Sequence, residues 1–155
     1  MKDWSVMVDD VKFNYRVGLL ITKNNKVLVE CNPDFDFVTL PGGRVHTLES
    51  SPEALNRELL EEMHIDIDTS KLKIKALIEN FFELEKKKYH ELYFLYKLNV
   101  ENDDRFTDNM KNYDSKASIY KWIDKEKLGE VNLLPAVLRD LDDTDEFINI
   151  VVNDL

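Results

Sequence analysis

A single cysteine, Cys31, stands in a chain of 155 residues, so no intramolecular disulfide can form and nothing marks an oxidising compartment. Glycine and proline are scarce, four of each, which excludes a collagen-like repeat or a Pro/Gly-rich linker and makes each one informative as punctuation. No stretch approaches the ~20 apolar residues of a membrane-spanning helix. The opening Met1–Val11 carries Asp3, Asp9 and Asp10 in place of the apolar centre of a signal peptide. Positive charge is in deficit too: 21 Lys and Arg against 31 Asp and Glu leave a net charge of −10, and such a surface repels nucleic-acid backbones and anionic lipids. The expectation is a cytoplasmic protein with neither a nucleic-acid polymer nor a membrane as partner.

What is present is the composition of a globular protein, 43% hydrophobic and 34% charged, and the length suits one domain spanning 1–155. Val11–Thr22 and Lys26–Cys31 are rich in β-branched and aliphatic residues and flank Asn24-Asn25, which predicts a hairpin. Phe37–Leu40 is a short strand, and Pro41-Gly42-Gly43 after it is expected to reverse the chain. Leu72–Leu84 and Tyr89–Val100 form a second hairpin through Glu85-Lys86-Lys87-Lys88. Glu101–Ser115 is an acidic loop beside the site, Ala117–Ile123 a strand, Leu133–Leu141 a helix with Pro135 in its first turn, and Phe147–Val152 a closing strand. The sheet these elements build is mixed and mainly antiparallel, with at least two helices over its faces.

The chain is organised around Gly43–Ile65. Ser50, Ser51 and Pro52 start a helix in one of two ways: Ser51 as N-cap with Pro52 first in the helix, or a capping box between Ser50 and Glu53. Glu58, Glu61 and Glu62 then fall at i, i+3 and i+4 on one stripe, beside a packing stripe of Leu55, Leu59 and Met63. Like charges at that spacing repel by roughly 0.2–0.5 kcal/mol per pair. Either Arg57 or a hard divalent cation with oxygen ligands relieves them, while a solvated acidic face is the ordinary reading of such a helix.

The full spacing decides between these. A glycine (Gly43), five residues, Glu49, seven residues, Arg57-Glu58, an aliphatic, any residue, Glu61-Glu62, and an aliphatic Ile65 resembles the Nudix box, with His64 where that family has glycine. Leu40-Pro41-Gly42-Gly43 and Trp122-Ile123-Asp124 are similar to the family as well. The resemblance implies an α/β/α sandwich of Nudix type and a pyrophosphohydrolase that cleaves a phosphoanhydride in a nucleoside diphosphate linked to another group. It implies Mg²⁺, with Mn²⁺ as alternative, held by Glu58, Glu61 and Glu62, and one of these, or a glutamate outside the box, as general base. Arg57 then orients the glutamates, and Glu49 is a structural partner. The competing class is a noncatalytic nucleotide-binding module; the complete glutamate set favours the enzyme.

Outside the box, Glu91 is a carboxylate on an apolar strand and is expected to point at the helix glutamates as an additional catalytic group. Arg16 is a candidate contact for an anionic substrate, and Gly42 and Gly43 allow backbone to approach it. Phe35, Phe81, Phe82 and Tyr89 are candidates either to stack on a base or to pack the core. His64 is expected to take a left-handed helix exit, at a cost of roughly 1 kcal/mol against glycine. Subgroup signatures naming the leaving group are missing, and a homodimer is left open.

Overall fold

The computed structural model describes residues 1–142 and 144–155. Among them the chain forms nine strands: β1 Ser5–Val8, β2 Val11–Lys23, β3 Lys26–Cys31, β4 Val38–Thr39, β5 Gly42–Arg44, β6 Lys73–Leu84, β7 Lys87–Asn99, β8 Ile119–Asp124 and β9 Ile148–Asn153, with one α-helix, α1 Ser51–Met63, between β5 and β6. They join in one sheet of order β4-β3-β2-β7-β6-β9, with β1 and β5 paired to β2 and β8 to β3. The sheet is mixed because β2 runs parallel to β7 and β6 parallel to β9. Among the described residues no helix is long and apolar enough to cross a membrane.

Both expected hairpins form. Asn24 and Asn25 supply two successive positive φ values, 51° and 59°, the geometry whose twist suits a two-residue hairpin. Glu85 and Lys86 do the same at 50° and 65°, so the second turn is two residues and Lys87 and Lys88 already belong to β7. β2 is the central strand, alternating side chains between two cores. Val17, Leu19 and Ile21 pack under Ala54, Leu55, Leu59 and Met63 of α1. On the other face Ala76, Ile78, Tyr93 and Leu95 pack under Leu128, Leu133 and Leu138.

Two local expectations are corrected, and one segment without an assigned element gains a strand. Pro41-Gly42-Gly43 does not reverse the chain: Gly42–Arg44 runs extended and antiparallel to Arg16–Gly18. Gly42, at φ 151°, lies so close to β2 that a Cβ there would overlap the Val17 carbonyl oxygen and sit 2.9 Å from Gly18 Cα. The helix over Leu133–Leu141 shrinks to a 3₁₀ segment, Ala136–Asp140. Val38 N–H donates to Asn132 and Leu134 N–H to Val38, which holds the approach extended, and Pro135 follows, too late for a longer helix. Lastly, the opening residues contribute β1, antiparallel to the start of β2.

One buried cation was not foreseen. Lys75, 1% exposed, sits at an irregularity in β6, and its Nζ donates to Asp142 Oδ1 at 2.6 Å, the Thr144 carbonyl at 2.9 Å and the Glu146 carbonyl at 3.1 Å. It anchors the segment leading into β9.

Candidate active site

The helix start is the capping box: Ser50 Oγ accepts from Glu53 N–H at 3.4 Å while Glu53 Oε2 accepts from Ser50 N–H at 2.8 Å. Pro52 occupies the first turn, where no N–H is missed. The helix ends at His64, φ 57° and ψ 34°, in the left-handed conformation expected there, its N–H bonded to Leu60 O at 3.1 Å.

Between these ends Arg57 organises the carboxylates. Its Nε and a terminal nitrogen fork onto the two oxygens of Glu49 at 2.7 and 3.1 Å, the same nitrogen reaches the Arg44 carbonyl at 2.8 Å, and the other lies 3.0 Å from Glu58 and 3.4 Å from Glu61. Burial works against the charge of Arg57, but the Glu49 hydrogen bond and Glu58 outweigh it and hold the guanidinium above its ordinary range. Glu49, further pinned by His46 N–H at 2.8 Å, is held below its ordinary value because these bonds exceed its burial penalty. This two-point fork fixes the orientation of Arg57, which in turn fixes Glu58.

Glu58 is pressed against β5: a Cβ on Gly43 would overlap its carboxyl group, so only glycine lets backbone and carboxylate meet here. Burial, partly offset by Arg57 and reinforced by Glu61 and Asp3, raises the Glu58 pKa. Glu62, 8% exposed, accepts a 2.6 Å hydrogen bond from the Tyr120 hydroxyl. Burial first, then Glu30, Glu58 and Asp114, push it up to about 8 against the lowering effect of Tyr120. Glu61 is the open member, its side chain 46% exposed.

Sequence reasoning missed the group behind Glu62. Glu30 of β3 lies opposite Tyr120 of β8, and Asn112 Nδ2 donates to Glu30 at 3.2 Å and to the Tyr120 oxygen at 3.3 Å. Alternation of polar Glu30 with buried Val29 was the only signal for Glu30; Asn112 had none, being in an aperiodic loop. Beside them lies a cavity of about 130 Å³ lined by Glu30, Asn32, Phe35, Phe37, Thr39 and Ser118, where Phe35 and Phe37 stack at 5.1 Å.

Two expected members stand elsewhere. Glu91 does not point at the helix glutamates. It shares a face with Tyr93 and Leu95, opposite α1, where its carboxylate accepts from Asn14 Nδ2 at 3.0 Å, itself held through Ser5 Oγ at 2.7 Å. Period-two alternation forces this, since Phe94 and Tyr96 already take the α1 face. Arg16 alternates to the same far face, in register with Tyr93, and its buried Nε has no hydrogen-bond partner among the described residues. His90 is wedged edge-on between Phe81 at 4.6 Å and Phe13 at 5.7 Å, and Phe82 stacks on Tyr89 at 4.9 Å, so these three aromatics pack on one another or on His90.

No three acidic or imidazole side chains already surround a common point among the described residues: Glu58 is turned to Arg57 and Glu62 to Tyr120. The donor set nevertheless suits a hard divalent cation. It is all oxygen, three carboxylates on one helix stripe with Glu30 adjoining; burial first and neighbouring carboxylates second disfavour the ionised forms of Glu58 and Glu62, and a bound cation would favour them.

Comparison with known proteins agrees with this geometry. No curated protein matches the sequence. Among solved structures, a mutator MutT protein from Bacillus halodurans superposes with a TM-score of 0.68 at 17% identity, covering 91% of each chain. A MutT protein from Methanosarcina mazei Go1 gives 0.60 at 26% identity over 86% of this chain and 92% of that one. A C. elegans Ap4A hydrolase gives 0.56 at 24% identity over 82% of this chain and 90% of that one. The NUDIX domain model matches residues 12–143, and with the box glutamates, the Arg57 fork and the α1-on-sheet sandwich in place, the chain belongs to the Nudix family as a Nudix-type pyrophosphohydrolase.

Proposed function

We propose that the protein hydrolyses a phosphoanhydride in a nucleoside diphosphate linked to another group, using Mg²⁺, or Mn²⁺, bound by Glu58, Glu61 and Glu62. The carrying observation is the paired burial of Glu58 and Glu62 on one helix stripe, each fixed by a dedicated partner, Arg57 at 3.0 Å and Tyr120 at 2.6 Å. A structural acidic face would leave its carboxylates in water, because burial strips each of hydration.

The metal, when bound, neutralises the phosphate oxygens and lowers the pKa of a water. The chain supplies the rest. Arg57 holds Glu58 in one orientation, and Gly42-Gly43 brings backbone to the same spot without a side chain between. Glu61, the most solvent-accessible of the three, is our candidate for the general base toward the attacking water. The Phe35–Phe37 cavity offers π-faces to the planar ring of the nucleoside. Arg16 and Glu91, on the far sheet face, are left out of this reading. A cytoplasmic setting goes with it, since Cys31 has no second cysteine to pair with.

The test is a coupled phosphate-release screen over nucleoside diphosphates joined to sugars, nucleosides or phosphate, with Mg²⁺ or Mn²⁺. Turnover that requires the divalent ion and disappears in Glu61→Gln is expected. No turnover of any such compound with either ion would refute the reading.

A further inference from the structure

His64 does more than end the helix. Its ring stacks on Tyr113 with centroids 3.8 Å apart and planes 12° from parallel, although both side chains lie at the surface. Tyr113 N–H donates to the Glu62 carbonyl at 2.7 Å. Its neighbour Asn112 is locked by its own turn, Oδ1 accepting from the N–H groups of Asp114 and Ser115, both at 2.9 Å. The Asn112 amide is thereby aimed at Glu30 and at the Tyr120 oxygen, and Tyr120 in turn holds Glu62. The segment 111–115 lies in a stretch without a strand or helix of its own from Val100 to Ser118; an isolated bridge from Lys111 to Ile119 pins its start, and the rest is held by these tethers. A glycine at 64 would satisfy the backbone but leave Tyr113 without a ring to rest on.

We propose that His64 is a positioning residue: its ring clamps Tyr113 so that Asn112 and Tyr120 hold the Glu62 carboxylate in place. The inference rests on the hydrolase reading for its catalytic consequence, but the clamp itself is measurable without turnover. His64→Gly removes the ring and keeps the left-handed exit; the strain it relieves offsets the lost stack, so Tm should stay within about 2 °C of wild type. Its kcat should fall about tenfold with KM unchanged, the scale of losing a partner that orients a metal ligand. His64→Phe restores a ring in spite of a poorer left-handed fit, and should recover the rate. Tyr113→Phe should match wild type, and Tyr113→Ala should match His64→Gly, with the double variant His64→Gly/Tyr113→Ala no slower than either. In the absence of any divalent ion, amide exchange at residues 111–115 should be slow in wild type and His64→Phe and fast in His64→Gly. Equal exchange in wild type and His64→Gly would overturn the clamp. Slow exchange in wild type with kcat unaffected in His64→Gly would leave a merely structural staple and overturn the positioning role. Absence of turnover in wild type would instead sink the hydrolase reading, and exchange would still decide whether the ring holds the segment.

Discussion

Two adjacent glycines separate fold from chemistry, and replacing each with alanine tests that division. At Gly43 the obstacle to a side chain is the Glu58 carboxyl group, whose Oε2 would stand 2.9 Å from the new Cβ while its Oε1 and carboxyl carbon would overlap it. Carbon contacts settle at about 3.5–4.0 Å, so the carboxylate must retreat by roughly 1 Å. That retreat loosens the 3.0 Å contact with Arg57 and carries Glu58 off the stripe it shares with Glu61 and Glu62. A displacement of about 1 Å in a reacting constellation costs on the order of 10²-fold in rate. A carboxylate at the end of a side chain yields more easily than backbone, so the stability cost should stay near the low end of overpacking, about 1 kcal/mol, or ~2–4 °C in Tm for a chain of this size. At Gly42 the obstacles are backbone, the Val17 carbonyl and Gly18 Cα, and φ is 151°, so alanine there should open the β2–β5 pairing and lower Tm by about 6 °C or more. The assay is steady-state hydrolysis at saturating Mg²⁺ beside thermal unfolding, with Glu58→Gln and Gly43→Ala/Glu58→Gln included. Near-equal rates in Glu58→Gln and the double variant are expected, because alanine acts through Glu58. A Gly43→Ala enzyme within twofold of wild-type kcat would refute the placement of Glu58 in the chemistry.

Glu61→Gln and Glu62→Gln should each remove most turnover while the far-ultraviolet circular dichroism stays native, since volume is kept and only charge is lost; near-normal rates at ordinary Mg²⁺ would exclude both as ligands. In metal-free protein the raised Glu62, ordinarily 4.5 and here about 8, retains a proton in the folded state that the unfolded chain has released. The contribution of Glu62 to stability is therefore full below about 4.5 and declines as pH rises to about 8. Tm measured in chelator should fall across that window and should fall less in Glu62→Gln; a Tm that rises with pH there would contradict the burial of the carboxyl. Glu91→Gln keeps a side chain of the same size next to Asn14 and should leave kcat unchanged, whereas a large fall in kcat would return Glu91 to the reacting site. Lys75→Met should cost about 2–4 kcal/mol, seen as a lower urea midpoint, by stranding the Thr144 and Glu146 carbonyls that the buried ammonium satisfies; an unchanged midpoint would show that the segment before β9 does not need this anchor.

The sequence alone determined what depends on neighbours along the chain. Capping residues, the 3.6-residue spacing of Glu58, Glu61 and Glu62, the paired asparagines of the first hairpin and the left-handed exit at His64 are local, and all are present as read. The resemblance to the Nudix box implied Glu49 as a structural partner and Arg57 as an orienting residue, and the two do pair. Tertiary structure decided what depends on which strands meet. Glu91 looked like a site carboxylate until the parallel pairing of β2 with β7 set its face, and one residue of register would have sent it to the other side. The same applies to Arg16. Gly42-Gly43 became a strand only because β2 offers an open edge with Gly18 opposite, and Leu133 was drawn from a helix into extended pairing by Val38. Glu30, Tyr120 and Asn112 reach Glu62 from 32, 58 and 50 residues away along the chain. No periodicity spans such distances, so only the folded chain, by bringing β3, β8 and an aperiodic loop to one end of the helix, makes them a group.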